Sequence, residues 1–230
     1  MQSKAKLLRK SVGGGKKKRT VLVFGAHNDD QLIGVGGTIA NYTNQGIDVI
    51  VYVFSFGEQS HPHLRKKTIA EMRVHECHKS DKVLGITKTV FLGLEEGSFE
   101  ADFERKKLKR KIQKAIRDVK PEKIFLHTMD DPHPDHRSVN SIIYSLLVDM
   151  SYKGAVYSYD VWNPLQVRER NLPRLVVDIS DSFARKVRSF FCHESQKMTM
   201  FVQVPFVYVK AIFRGLHYGY RYAEVFYKIR

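Results

Sequence analysis

Two short clusters hold the residues best suited to chemistry. His27, Asp29 and Asp30 fall within four positions, and Asp131, His133, Asp135 and His136 within six. In the first, an imidazole nitrogen and a carboxylate oxygen three residues apart can close on one zinc ion across a tight turn. Adjacent aspartates do not easily both face one ion, so one is left to sit over a water beside it. Capping a helix is the plainer role for either acid. In the second cluster His133 and His136 both ligate, or one ligates while Asp135 holds the other for catalysis, because working imidazoles need a carboxylate or carbonyl behind them. The plainer alternative is a solvated loop stiffened by Pro132 and Pro134. Each cluster alone is an incomplete ligand set. Together, two histidines and one carboxylate leave a position open for water, as hydrolytic zinc sites require.

The segments that must position these clusters have a clear pattern. Thr20–Ala26 is short, apolar and β-branched, which predicts a buried strand ending at His27. Asp30–Asn44 has helical spacing with an acid at its start. Further strands are predicted over Ile47–Phe54, Thr89–Leu92, Lys123–His127, Ala155–Val161 and Leu175–Asp178. Further helices are predicted over Lys66–Leu84, Phe103–Val119, Arg137–Met150 and Ser182–Met198. This alternation predicts an α/β fold: a Rossmann-like, doubly wound, mostly parallel sheet with helices on both faces. Ligands bind outside the carboxyl ends of such strands. Both clusters fall there, after the first and fourth strands, which the common doubly wound order sets side by side at a switch point.

The chain has 230 residues, 43% hydrophobic and 27% charged, enough for one large domain with an appended tail. The net charge is +15, and residues 1–19 hold eight Lys or Arg and no acid. They read as a basic, disordered tail, either simply solvated or touching an anionic surface or acidic partner, ahead of a single domain over 20–230. Two cysteines, Cys77 and Cys192, without CxxC spacing, suit a reducing compartment. No apolar run reaches the ~20 residues a bilayer needs. Phe201–Phe213 is apolar but broken by Gln203, Pro205 and Lys210. A cytoplasmic protein is the expectation.

At this point the sequence resembles a family, the LmbE-like or PIG-L-type zinc-dependent N-acetylglucosaminyl de-N-acetylases. His27, Asn28, Asp29 and Asp30 resemble its AHPDDE motif, and the run from Asp131 to His136 its HPDH motif. Gly36-Gly37-Thr38, Arg73 with Glu76, Leu84-Gly85, Phe91-Leu92-Gly93, the His193–Gln196 run and the Tyr222–Phe226 run agree as well. The resemblance covers residues 20 to 227. It implies zinc on His27, Asp30 and His136, and Asp29 as general base. It further implies His133 as a catalytic histidine oriented by Asp135, and Arg73 as a substrate contact. The implied substrate is an N-acetylated sugar or glycoconjugate, releasing acetate. Asn28 stands where the family has proline, and Gln31 where it has glutamate.

Other features carry plainer readings. His75, Cys77 and His78 do not share one helix face, and His61 and His63 flank Pro62 in a loop. Gly34, Gly36 and Gly37 suit close helix–sheet packing better than a phosphate loop. The Tyr218–Tyr227 run reads as core and pocket wall. A competing class is a basic nucleic-acid-binding or scaffolding protein on a degenerate fold, favoured by the tail and by Lys106–Lys120. The acids at 29, 30 and 135 oppose it, since they repel phosphate unless a metal intervenes. A phosphoester hydrolase would want two metals and more carboxylates.

Overall fold

A computed structural model describes residues 18–58, 65–161 and 171–230. The chain runs β1 (Thr20–Gly25), α1 (Asp30–Asn44), β2 (Asp48–Val53), α2 (Lys66–Leu84), β3 (Lys88–Phe91), α3 (Phe99–Arg105) and α4 (Leu108–Val119). It continues as β4 (Lys123–His127), α5 (Pro134–Asp149), β5 (Ala155–Tyr159), β6 (Arg174–Asp178), α6 (Phe183–Phe190), α7 (Lys197–Tyr218) and β7 (Ala223–Lys228). The seven strands form one sheet in the order β3-β2-β1-β4-β5-β7-β6. The first five are parallel, and β7 runs antiparallel to both β5 and β6. β1 and β4 are neighbours, as expected of the switch point, with Val23 opposite Phe125.

Every residue of β1 is buried, so successive side chains feed different cores. Val21 and Val23 join Ile39, Phe125, Phe183 and Val207 on one face. Leu22 and Phe24 join Ile112, Ile124, Leu126 and Ile143 on the other. The glycines of α1 allow the first face to close. A Cβ on Gly34 would stand 2.2 Å from the Tyr159 ring, and one on Gly37 would stand 2.8 Å from Ile179. Helix–sheet packing is thus their role. A buried pair secures the same helix from outside. Glu224 accepts from the amides of Gly37 and Thr38, and Lys186 joins it at 2.6 Å while donating to the Ile33 carbonyl.

Two expected helices divide, and one helix forms that was not expected. The single helix over Phe103–Val119 is two helices, broken at Lys107, whose φ is 53°. Phe99 and Phe103 are four apart and Leu108, Ile112 and Ile116 are four apart, but the step between the sets is five. One continuous helix would turn one set out of the core, and the break restores the phase. The helix over Ser182–Met198 also divides, because α6 stops at Phe190 and a 3-10 turn, Glu194–Gln196, precedes α7. There Glu76 captures the Ser195 amide and hydroxyl at 2.7 and 2.6 Å. Finally, α7 runs straight through Pro205. The lost bond falls on the carbonyl of Phe201, an exposed position open to solvent. Among the described residues no helix is long and apolar enough to cross a membrane.

Most of the expected tail, and the loop positions His61 and His63, lie outside the described residues. Lys18 and Arg19 are described and engaged: Lys18 pairs with Asp48 at 2.7 Å and Arg19 with Glu122 at 2.6 Å.

Two stability predictions follow from these contacts. Gly34→Ala should cost ~1–3 kcal/mol through the clash with Tyr159, read as a lower urea midpoint. An unchanged midpoint would contradict the packing described. Asp81, near the end of α2, has its carboxyl pushed up by burial to about 7. A raised pKa contributes stability at low pH that is lost as pH climbs toward the folded value. Urea unfolding should therefore show stability falling between pH ~4 and ~7, by up to a few kcal/mol, with that slope absent in Asp81→Asn.

Candidate functional site

The site begins where β1 gives way to α1. The His27 amide donates to Asp30 Oδ2 at 2.7 Å, and the Asp29 carbonyl accepts from Leu32 and Ile33 at 3.0 and 3.1 Å. Asp29 occupies the cap position, yet its side chain makes no capping bond. Asn28 is buried and donates to the Arg73 carbonyl at 3.0 Å, while Gln31 donates to the Asn28 carbonyl at 2.9 Å. The two departures from the family motif thus tie this turn to α2 and to itself.

The second half forms where β4 gives way to α5. Pro134 opens α5, a position where its missing amide costs nothing. His133 is the cap, and its Nδ1 accepts from the Asp135 amide at 3.2 Å. Its proton therefore belongs on Nε2. Asp131 Oδ1 accepts from the His133 amide at 3.0 Å and lies 2.9 Å from His136 Nδ1. Asp131 Oδ2 accepts from the Val161 amide at 3.3 Å.

The halves meet at Asp30. Its Oδ1 is 3.2 Å from His136 Nε2 and its Oδ2 is 3.1 Å from His127 Nε2. His27, Asp30 and His136 offer donor atoms that all lie within 4.8 Å of one another, the span of a metal's ligand shell. Two overlapping sets satisfy the same condition: His27 with His133 and Asp135, and His127 with Asp131 and His136. Burial opposes charge at every one of these groups, and neighbours decide the outcome. For His136, burial pulls down but Asp30 and Asp131 prevail, pushing it up to about 10. Burial would raise Asp30, yet His136 and His127 hold it well below the carboxylate range. Burial and the His136 charge push His127 down to about 4, so it is neutral. Burial, His136 and His27 likewise lower His133.

A cavity of about 430 Å³ opens over this group, with His27, Asp29, Asp30, His133 and Asp135 in its wall. Arg73, Glu96, Gln196, Thr199 and Gln203 line it as well, with Glu96 Oε1 3.7 Å from His27 Nε2. Arg73 is 1% exposed, and its Nε and Nη1 have no hydrogen-bond partner among the described residues. The guanidinium lies against Gly57, whose φ is +75° and whose missing side chain leaves the room. Three residues along α2, Glu76 grips the Ser195 turn, so the two charged residues of this helix face serve one wall. His193 is fully buried 3.3 Å from Ser80 Oγ and is pushed down to about 4 by burial.

The structure brings all seven residues singled out in the sequence to this one cavity or its floor. It alters one relationship. The Asp135 carboxylate does not hold the His133 ring. It accepts from the Gly97 amide at 2.9 Å and lies 3.4 Å from His27 Nε2, and only its backbone amide reaches His133. The carboxylate behind a histidine is Asp131, behind His136. Sequence reasoning placed Asp131 in the cluster without a role, and it passed over His127 and Glu96. Both have a positional signal: His127 ends β4 and Glu96 follows β3, at the carboxyl edge of the sheet.

Residues 22–147 match the GlcNAc-PI de-N-acetylase (PIG-L) family. The chain belongs to that family. It is 28% identical to diacetylchitobiose deacetylase of Thermococcus kodakarensis over 223 residues, covering 90% of this chain and 81% of that protein. Two solved structures share the fold. The N,N'-diacetylchitobiose deacetylase of Pyrococcus horikoshii superposes with a TM-score of 0.76 at 24% identity, covering 92% of this chain and 84% of that one. The 4-carboxy-2-hydroxymuconate hydratase of Pseudomonas putida KT2440 superposes at 0.78 and 22%, covering 92% and 96%.

If Asp131 orients His136, Asp131→Asn should weaken metal binding by ~10–100-fold, measured by chelator competition. Unchanged affinity would remove it from the metal site.

Proposed function

We propose that this protein is a zinc-dependent hydrolase that removes the acetyl group from an N-acetylglucosamine-containing substrate, with residues 20–230 as one catalytic domain. The observation that carries the reading is the His27, Asp30 and His136 donor set, gathered at the floor of a cavity with Asp29 in its wall. The donor chemistry fits zinc: two imidazoles and one carboxylate, with the Asp131 carboxylate behind one imidazole. The deacetylase relatives supply the substrate class.

His27, Asp30 and His136 would hold the ion. Zinc bound there supplies a Lewis acid, which acidifies a water molecule and polarises the acetamide carbonyl. The chain's own groups do the rest. Asp29, whose carboxylate is not spent on a helix cap, accepts the water proton. The water oxygen bonds to the acetyl carbon. Neutral His133, with its proton on Nε2, donates to the carbonyl oxygen as that atom gains charge. The C–N bond then breaks, the amine nitrogen takes a proton from Asp29 or His133, and acetate and a free amino sugar leave. Arg73, which also lines the cavity, presents buried, unpaired donors to the substrate.

One observation favours a second reaction. A guanidinium with open donors also suits a substrate carboxylate, which fits the similarity to a hydratase. Acetate release from N-acetylglucosamine conjugates, assayed with added zinc, separates the two. Asp29→Ala should lower kcat by at least ~10²-fold with zinc content unchanged, while His136→Ala should lose zinc. Loss of zinc in Asp29→Ala, or full zinc and activity in His136→Ala, would overturn the assignment.

A further inference from the structure

The core-facing side of α7 is conventional: Met200, Val207, Ala211 and Gly215 are buried. Its outer side is not. Met198 and Phe201 are each 79% exposed, Val209 57%, Phe213 71% and Leu216 73%. These positions recur every three, four or eight residues and so form one apolar stripe along the helix. A surface that large needs an occupant.

Charge bears on what the occupant is. Residues 183–223 contain seven Lys or Arg and one acid, Glu194; Lys186 is paired with Glu224, and Lys210 and Arg214 with Asp160. Arg188, Lys197 and Arg221 are exposed there. A second copy would bring the same positive field against this one, whereas an anionic lipid surface complements it.

A second cavity agrees with a lipid. About 240 Å³ in volume, it lies along α7, lined by Val202 and Phe206 of that helix, Ile33 of α1 and Val161 just past β5. Ile33, Val161 and Gln203 also line the cavity over the metal ligands, so the two spaces adjoin. An apolar slot beginning beside the stripe and ending beside the site suits an acyl chain better than a folded protein surface.

We propose that α7 is a membrane-docking helix that lies in the surface of an anionic bilayer, apolar stripe inward, with the catalytic cavity held at the headgroup level. The helix lies on the bilayer and does not span it, and the docking does not depend on which reaction the site performs.

Flotation of the full chain with vesicles tests this. The vesicles are phosphatidylcholine alone, or phosphatidylcholine with phosphatidylglycerol. The wild-type chain should float with the anionic vesicles and less with the neutral ones. Phe201→Glu combined with Phe213→Glu, at exposed positions outside both cavities, should partition at least ~10-fold more weakly, with an unchanged thermal melt. Acetate release from a soluble N-acetylglucosamine substrate should persist in that variant. Three results would overturn the proposal. One is a wild type left unfloated by both vesicle types. The variant can float as well as wild type, which assigns binding to the basic N-terminal residues. Light scattering can find a wild-type dimer that the variant dissociates, with no vesicle binding by either. A chain that floats but releases no acetate overturns the reaction assigned above and leaves the docking standing.

Discussion

A carboxylate stripped of water holds the site together. Asp30 is 2% exposed and sits among three imidazoles, those of His27, His127 and His136. Burying a charge is costly unless partners satisfy it, and here the partners come from both halves of the sheet's switch point. Asp30 Oδ2 answers to the β1–α1 turn through the His27 amide and to β4 through His127, and Oδ1 answers to α5 through His136. The sheet must set β1 beside β4, and α5 must start where it does, for Asp30 to keep its contacts. Fold and site are therefore one problem: the same pairing that closes the core also gathers the candidate ligands.

Asp131 extends this arrangement outward. It fixes the His136 ring, braces the His133 amide and takes the Val161 amide at the end of β5. Glu224 on β7 and Lys186 on α6 do analogous work, gripping α1. A metal at this position would then be held by side chains whose own orientations are fixed one layer back, which is what separates a working site from a loose collection of ligands.

Much of this was legible from the sequence where a single rule governs. The five parallel strands are apolar runs bounded by turns, and the two polar clusters stand at strand ends, so the architecture and the residues that gather at the cavity could be read together. The rest depended on competing effects. α7 was hidden because Pro205 and its β-branched and aromatic residues argue against a helix, and its apolar residues face both inward and outward. β7 was hidden in a Tyr-rich run whose burial comes from neighbours far away in sequence. The role of Asp135 was misread because adjacency in sequence favoured His133, whereas the carboxylate turns to Gly97 and His27. His127 gave no pattern beyond its place as the last residue of a strand.

The place of β7 has a consequence for how the molecule comes into being. It lies between β5 and β6, although β6 precedes it in the chain by the whole of α6 and α7. A nascent chain emerging from the ribosome can assemble the five parallel strands in step with synthesis. β6 at that stage has no neighbour to bond with, and Lys186 waits as a buried charge without its counterpart until Glu224 appears. The apolar α7 is made in that same interval. The last part of the domain to be translated is thus the part that locks the sheet, and until it arrives the growing polypeptide carries an open strand edge and an uncovered greasy helix, the two features that recruit chaperones.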